Sequence, residues 1–493
     1  MEIDIVNVIM ILIDSLNARY LASYGNTEIK TPNIDRFSQK AFVFDNHFIG
    51  SAPCMPARRE LMTGRKEFFW RPWGPLEPFD NHIALEAKKA GATTMLVTDH
   101  YHYWEYSAHG YIEQFDGIEM IRGHELDMWR TDPVEELPQW VKSIERWRPG
   151  QGVKYYRNVK DFKDEKDFFS PRVMNASADW LDRNHNRDKF MLWIESFDVH
   201  EPFHIPEPYK SMYTNDVKDE YTCWPPYQRG LHGHADEYWK QVNPKELEFI
   251  RSQYCGKVTM ADKWLGTVFD AMDKYDLWDN TAVILTADHG HELGEKQRFG
   301  KQWPHYDLNA HIPLMIWHPG FPGNGRRISA FTTAVDIYAT IIDITNAQNK
   351  DTALIPHGRS LMPLIEGKTN KHREAVVYGT FGCGATVTNA DYTYCCGSNG
   401  GQLNHYSALM LHPSSDAQSG MFIPGVNCPV WRMPINNTFV SGNLMFDRHE
   451  DPEQNHDICK EKPQAEKYMR QILVDLIKEE GAPPEQFTRL GLN

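Results

Sequence analysis

Four continuous apolar runs, each closed by titratable residues, constrain most strongly what this chain can fold into. Val6-Asn7-Val8-Ile9-Met10-Ile11-Leu12-Ile13 ends at Asp14, and Thr93-Thr94-Met95-Leu96-Val97-Thr98 ends at Asp99 and His100. Phe190 to Phe197 ends at Asp198 and, two residues on, His200, while Thr281 to Ala287 ends at Asp288 and His289. Runs of this length, separated by long helix-capable stretches, read as buried strands of a mostly parallel sheet, because a sheet covered on both faces has no polar face to show. The expected fold class is therefore α/β, with a large, mostly parallel sheet flanked by helices. In open α/β sheets ligands sit beyond the carboxyl ends of the strands. A single Asp or His there is an ordinary turn former or cap; four such endings point to one shared site.

Between these strands, helices are expected over residues 32–40, after Thr31-Pro32, over 81–90 and over 245–274, and Leu314 to Trp317 forms a further apolar run. From about Glu374 the character changes. Val376 to Tyr378 and Thr386 to Cys395 alternate like short antiparallel strands, and residues 463–481 read as a closing amphipathic helix. This predicts a larger catalytic domain over residues 1–370 and a smaller C-terminal α+β domain with a short antiparallel sheet over 371–493. The 150–168 stretch, rich in Lys, Arg and Asp, reads as a solvated insertion.

Charge and cysteine usage exclude several classes of function. The formal net charge of -15 argues against nucleic acid and against an anionic membrane surface as partners, since both need basic patches. The eight cysteines show no metal-ligand spacing, so reduced thiols are the default. Glu2 and Asp4 precede a short apolar run where a signal peptide wants basic residues and a longer one, and no run is long enough to span a bilayer. The expected location is cytoplasmic.

One segment carries its own chemistry. Ser51-Ala-Pro-Cys54-Met-Pro-Ala-Arg58-Arg-Glu-Leu-Met-Thr-Gly-Arg65 places Pro56 where a helix begins and Gly64 where it ends. Cys54 then sits at a helix N-terminus, and Arg58, one turn on, adds a fixed positive charge; the pair is expected to form an oxyanion pocket around one reactive side chain. A cysteine phosphatase would need arginine at position 60, where Glu60 stands.

The Cys-x-Pro-x-Arg frame followed by Leu-Met-Thr-Gly resembles the sulfatase signature, in the alkaline phosphatase-like superfamily. Thr286-Ala287-Asp288-His289-Gly290 with Leu293-Gly294 and Lys301 resembles that family's Asp-His-Gly block and later lysine. Val199-His200-Glu201-Pro202 is similar to its Pro-His-x-Pro segment, and Thr31-Pro32-Asn33-Ile34-Asp35 to an early Thr-Pro-Asn-Leu-Asp. Gly358-Arg359-Ser360-Leu361 and Leu444-Met445-Phe446-Asp447 match two later landmarks.

The resemblance implies a hydrolase of sulfate esters in which Cys54 is oxidised to formylglycine, so a formylglycine-generating or anaerobic sulfatase-maturating enzyme is an implied partner. It implies a divalent metal, calcium first with manganese or zinc open, held by Asp14, residue 54, Asp288 and His289. Arg58 would hold the formylglycine hydrate, Lys301 an ester oxygen, and His200 would protonate the leaving oxygen of a small sulfated substrate, a sugar or aryl sulfate. Two positions depart from the family pattern. Ser15 replaces the second of a common aspartate pair, and Thr98-Asp99-His100-Tyr101-His102 stands where Gly-Lys-Trp-His is usual, so that His100 or His102 is the candidate for the missing histidine. The Ser15 departure favours a phosphonate monoester or phosphodiester hydrolase as the alternative; an unmodified, non-enzymatic binding protein is a further one. Aromatic clusters at Phe68-Phe69-Trp70-Arg71-Pro72-Trp73 and Tyr101 to Tyr106 are expected to line the substrate pocket.

Overall fold

The computed structural model describes residues 7–105, 108–227, 235–347 and 357–493. Glu2, Asp4, Val6 and Tyr106 lie outside them. The four apolar runs form the strands Thr281–Thr286, Asn7–Ile13, Phe190–Ser196 and Thr93–Thr98, which are successive neighbours in one sheet. All four are parallel, and the register sets Leu12 opposite both Glu195 and Thr286, with Thr98 opposite Glu195. Their carboxyl ends are therefore level, and the polar residues after them converge. Successive residues alternate between two cores: Ile9, Ile11 and Ile13 enter one, Val8, Met10 and Leu12 the other. The first core is completed by helices Phe169–Asn184 and Pro244–Lys274, the second by Cys54–Thr63, Ile83–Lys89 and Val335–Ile344.

Among the described residues the sheet has eight strands. Leu314–Trp317 runs antiparallel between Thr281–Thr286 and Phe42–Phe48, Arg327–Thr333 lies parallel outside Phe42–Phe48, and Gly117–Met120 forms the opposite edge. Phe42–Phe48 and Arg327–Thr333 contain Asp45, Asn46 and His47, and Arg327 and Ser329, so neither reads as a continuous apolar run.

A second sheet orders Leu444–Asp447, Tyr392–Cys396, Ala385–Thr388, Val376–Thr380 and Ser51–Ala52. It is antiparallel except for its last pair, in which Gly379 and Thr380 lie parallel to Ser51 and Ala52. Helix Pro463–Glu479 covers it with Met469, Leu473 and Ile477. Phe68, Phe69 and Trp70 pack in that same core, so this half of the expected pocket aromatics is structural. The 150–168 stretch is not a solvated insertion either. Residues Gln151–Val159 form a helix whose Tyr155 and Val159 join the main core, since its apolar positions share one helical face. Among the described residues no helix is long and apolar enough to cross a membrane.

Candidate active site and metal centre

Helix Cys54–Thr63 begins at Cys54 and ends at Gly64, whose φ of 73° is the left-handed conformation glycine adopts without a Cβ clash. Pro56 falls inside the first turn rather than at its first position, at no cost, because first-turn N–H groups have no helical partner. The short Ser51–Ala52 strand ties the approach to Cys54 into the second sheet, and the helix is buried along its whole length.

The oxyanion pocket expected around Cys54 is not what surrounds it. The Arg58 guanidinium is consumed by three carboxylates: Nη2 donates to Asp14 at 2.8 Å, Nη1 to Asp288 at 2.6 Å and Nε to Glu195 at 2.5 Å, all fully buried. Asp14, Cys54, Asp288 and His289 form a buried group whose donor atoms lie within 4.8 Å of one another. Cys54 Sγ is 3.1 Å from His289 Nε2, while His289 Nδ1 faces the Gly290 carbonyl at 2.9 Å, which leaves Nε2 free to ligate. Gly290 is required here, since a Cβ would fall 2.0 Å from the Leu308 carbonyl oxygen. Ser15, at φ 61°, organises the carboxylates: its hydroxyl donates to Asp14 at 2.7 Å and its amide to Asp288 at 3.0 Å. Two carboxylates, an imidazole and a cysteine-derived ligand suit a divalent cation.

The electrostatics ask for that cation. Burial, and next Asp288, push the Asp14 carboxyl well above its ordinary range. Burial and then Asp14 likewise raise the Cys54 thiol, so a thiolate nucleophile is disfavoured. Burial lowers His289 to about 4, keeping it neutral as a ligand must be.

On the adjoining side, Glu125, His200 and Glu201 bring their donor atoms within 4.8 Å of one another. His200 Nδ1 meets the Glu201 carbonyl at 2.7 Å, and burial holds its pKa well below the usual value. Lys301 Nζ lies 3.7 Å from Glu201 Oε2 and makes no hydrogen bond; burial opposes its charge, but Cys54, Glu201 and Asp14 outweigh this and raise its pKa. Glu201 is tied to His291 at 2.9 Å and to the Tyr227 hydroxyl. Behind it, Lys257 joins Asp198 at 2.5 Å and donates to the carbonyls of His200 and Pro202, both at 2.8 Å.

Asp99 does not face the site as a lysine substitute would. Its carboxylate accepts from the Phe197 amide at 2.6 Å and links two strand ends. His100 is fully buried, its Nε2 3.8 Å from Asp14 Oδ2, with neither ring nitrogen hydrogen-bonded. His102 pairs with Glu105 at 2.5 Å and meets the Trp73 ring edge-on at 4.7 Å, so Trp73, unlike Phe68 to Trp70, stands beside the site. Tyr103, from the second expected aromatic cluster, donates its hydroxyl at 2.7 Å to Glu195, which belongs to the site without having been expected there. Glu195 had a signal, as the one charge in an apolar strand; Glu125, in a loop, had none.

Comparison with known proteins agrees with this geometry. A family model described as Sulfatase matches residues 6–347. The multifunctional alkaline phosphatase superfamily protein PehA of Trinickia caryophylli is 27% identical over 423 residues, covering 76% of this chain and 79% of that one. An arylsulfatase of Clostridium perfringens is 25% identical over 398 residues, covering 75% and 80%. In fold, the phosphonate monoester hydrolase of Agrobacterium radiobacter superposes with a TM-score of 0.67 at 19% identity over 96% of both chains. With the Cys-x-Pro-x-Arg helix set against an Asp, Asp, His cluster, and the family match running through the whole eight-stranded sheet, the chain belongs to the sulfatase family of the alkaline phosphatase-like superfamily.

Proposed function

We propose that this hydrolase cleaves sulfate esters to an alcohol and inorganic sulfate, with residue 54 as nucleophile. The observation that carries the reading is the position of the Cys54 side chain, at a helix start and 3.1 Å from a neutral His289 within the Asp14 and Asp288 cluster. Oxidation of Cys54 to formylglycine, by a formylglycine-generating or anaerobic sulfatase-maturating enzyme, supplies as its hydrate one hydroxyl that attacks sulfur and a second whose deprotonation expels sulfate and restores the aldehyde. A divalent cation, calcium with manganese or zinc as alternatives, would lower the pKa of the attacking hydroxyl and offset charge on the transferring group. Asp14, residue 54, Asp288 and His289 would hold it.

The remaining work falls to the chain's own side chains. Arg58, locked by Glu195 on its Nε edge, orients Asp14 and Asp288 from behind, and its Nη1 donates to the Cys54 carbonyl at 3.1 Å. Lys301, charged and without a hydrogen bond, takes a non-bridging ester oxygen. As the bond from sulfur to the bridging oxygen breaks, His200 delivers a proton to that oxygen. The arriving anion raises the lowered His200 pKa and supports its protonated form. His100, beside Asp14, and His102, at the open side, are the further histidines of the site.

Phosphonate monoester or phosphodiester hydrolysis is a second reading, favoured by Ser15 in place of a second carboxylate. Sulfur and phosphorus esters differ in charge more than in shape, so the ligand count decides between them. Steady-state kcat/KM on 4-nitrophenyl sulfate and on a phenyl phosphonate monoester, with mass spectrometry of the Cys54 peptide, tests both. Sulfate preference with formylglycine at 54 is expected; a large phosphonate preference overturns the sulfatase reading, and unmodified cysteine in active protein overturns the nucleophile.

A further inference from the structure

Among the described residues the site has one open side, and an acidic group without an assigned occupant stands there. Asp14, Cys54, Asp288 and His289 are each 2% exposed or less, so the alcohol half of a substrate cannot extend past them. Solvent reaches the cluster at Lys301, which is 8% exposed, at Glu125, 9%, and at the His102 side chain, 13%. An ester whose bridging oxygen meets His200 must direct its alcohol half toward these residues.

Glu125 and Glu201 flank His200 there, but they are not equivalent. Both oxygens of Glu201 are engaged, by the Tyr227 hydroxyl and by His291, and it also faces Lys301. Among the described residues Glu125 Oε2 has no hydrogen-bond partner; His102 Nε2 is 3.7 Å away, and the Tyr101 hydroxyl bonds to the same carboxyl group. A buried carboxyl oxygen without a partner is costly. Glu125 also holds a left-handed backbone, φ 47°, sparsely populated by residues with side chains. Two independent costs thus persist at one residue in the mouth of the site. A bare cation is a poor occupant, since Lys301 and Arg148 already act on this carboxyl. A hydrogen-bond donor on an otherwise neutral framework fits better, with the Tyr101 and His102 rings beside it for a flat or cyclic body.

We infer that Glu125 reads the alcohol half of the substrate, its free Oε2 accepting a hydrogen bond from a hydroxyl or ammonium group carried near the ester oxygen. The assignment rests on the ester-hydrolase reading above and holds whether sulfur or phosphorus is attacked. Burial, and next Glu201, push the Glu125 carboxyl upward, which favours a form able to accept and donate toward a hydroxyl. The substrate class is accordingly a polyol or amino-sugar ester rather than a plain aryl ester.

The test uses the full-length, matured protein and its Glu125→Ala and Glu125→Gln variants. The quantity read is the ratio of kcat/KM on a donor-bearing ester to kcat/KM on 4-nitrophenyl sulfate. N-acetylglucosamine 6-sulfate offers hydroxyls, glucosamine 6-sulfate adds an ammonium, and a matched phosphonate series is run beside them. Turnover of neither aryl ester would defeat the hydrolase reading and not this assignment alone. Given turnover, the wild type should favour a donor-bearing ester, and Glu125→Ala should lower the ratio by about tenfold or more, chiefly through KM. Glu125→Gln, near in shape and a safeguard against misfolding of the alanine variant, keeps the ratio within about threefold when a hydroxyl is read and loses it when an ammonium is. The assignment is overturned if the wild type prefers the aryl ester throughout, or if both variants leave the ratio unchanged or lower numerator and denominator equally.

Discussion

Asp14 and Asp336 are both wholly buried aspartates with an arginine against them, yet burial has opposite outcomes at the two sites. Around Asp336 every demand is met. Its oxygens accept from the amides of Thr333 at 3.0 Å and Arg359 at 2.9 Å, from His372 at 3.1 Å and from the Arg373 guanidinium. Although burial opposes it, Arg373 and then His372 hold that carboxyl well below the usual range. Around Asp14 one arginine is divided among three carboxylates, and burial with Asp288 drives its pKa the other way. A satisfied cluster fastens Val335–Ile344 and its neighbouring loops; a cluster short of positive charge suits a cation.

Four experiments break or sharpen that contrast. Cys54→Ala should abolish turnover by about 10⁴-fold or more while leaving the melting temperature near wild type, because it removes the proposed nucleophile and no ion pair; residual activity within tenfold of wild type would take residue 54 out of the reaction. Asp336→Ala should cost about 3–5 kcal/mol in urea unfolding, since it strands a buried Arg373, with a loss below about 1 kcal/mol erasing the distinction between the sites. Adding calcium, manganese or zinc to chelator-treated protein should raise stability by about 2.7 kcal/mol at a hundredfold excess over Kd. Asp14→Asn should remove that response without lowering metal-free stability, because it relieves repulsion from Asp288; calorimetry with and without metal reads both.

The smallest effect concerns His47, packed near Asp336 and lowered to about 3 because burial outweighs that carboxylate's attraction. The unfolded chain protonates this histidine near 6.5 and the folded one does not, so the neutral imidazole's contribution is intact above about pH 6.5 and is lost as the pH falls toward 3. The slope is about 1.4 kcal/mol per pH unit. His47→Gln should flatten the acid limb of stability against pH by that amount, and an unchanged limb would show that the ring protonates in the fold.

Much of this arrangement was legible because strand interiors and strand ends follow different rules. The interior of Asn7–Ile13 must be apolar on both faces, and its end at Asp14 need not be, so run and terminus are visible together. The helix bounds at Gly64 and the grouping of Asp14, Cys54, Asp288 and His289 followed from local pattern and family resemblance. What stayed hidden depends on contacts no spacing encodes. Arg58 and Glu195 are 137 positions apart, and Ser51–Ala52 pairs with a strand near the far end of the chain. The expected oxyanion pocket failed for the same reason: a helix N-terminus favours anions until distant carboxylates are brought against it. Phe68 to Trp70 show the converse, as aromatic residues whose destination, core or pocket, depends on which sheet folds over them.

The pairing of Ser51–Ala52 with Gly379 and Thr380 also sets a clock. In the finished fold Cys54 is 2% exposed, out of reach of a second protein's catalytic groups. The strand that braces its loop is synthesised only after most of the chain has left the ribosome, which at about 5–20 residues per second is a delay on the order of tens of seconds. On the proposed reading, oxidation of Cys54 would have to precede this closure, and the time between synthesis of residues 54 and 380 would bound it.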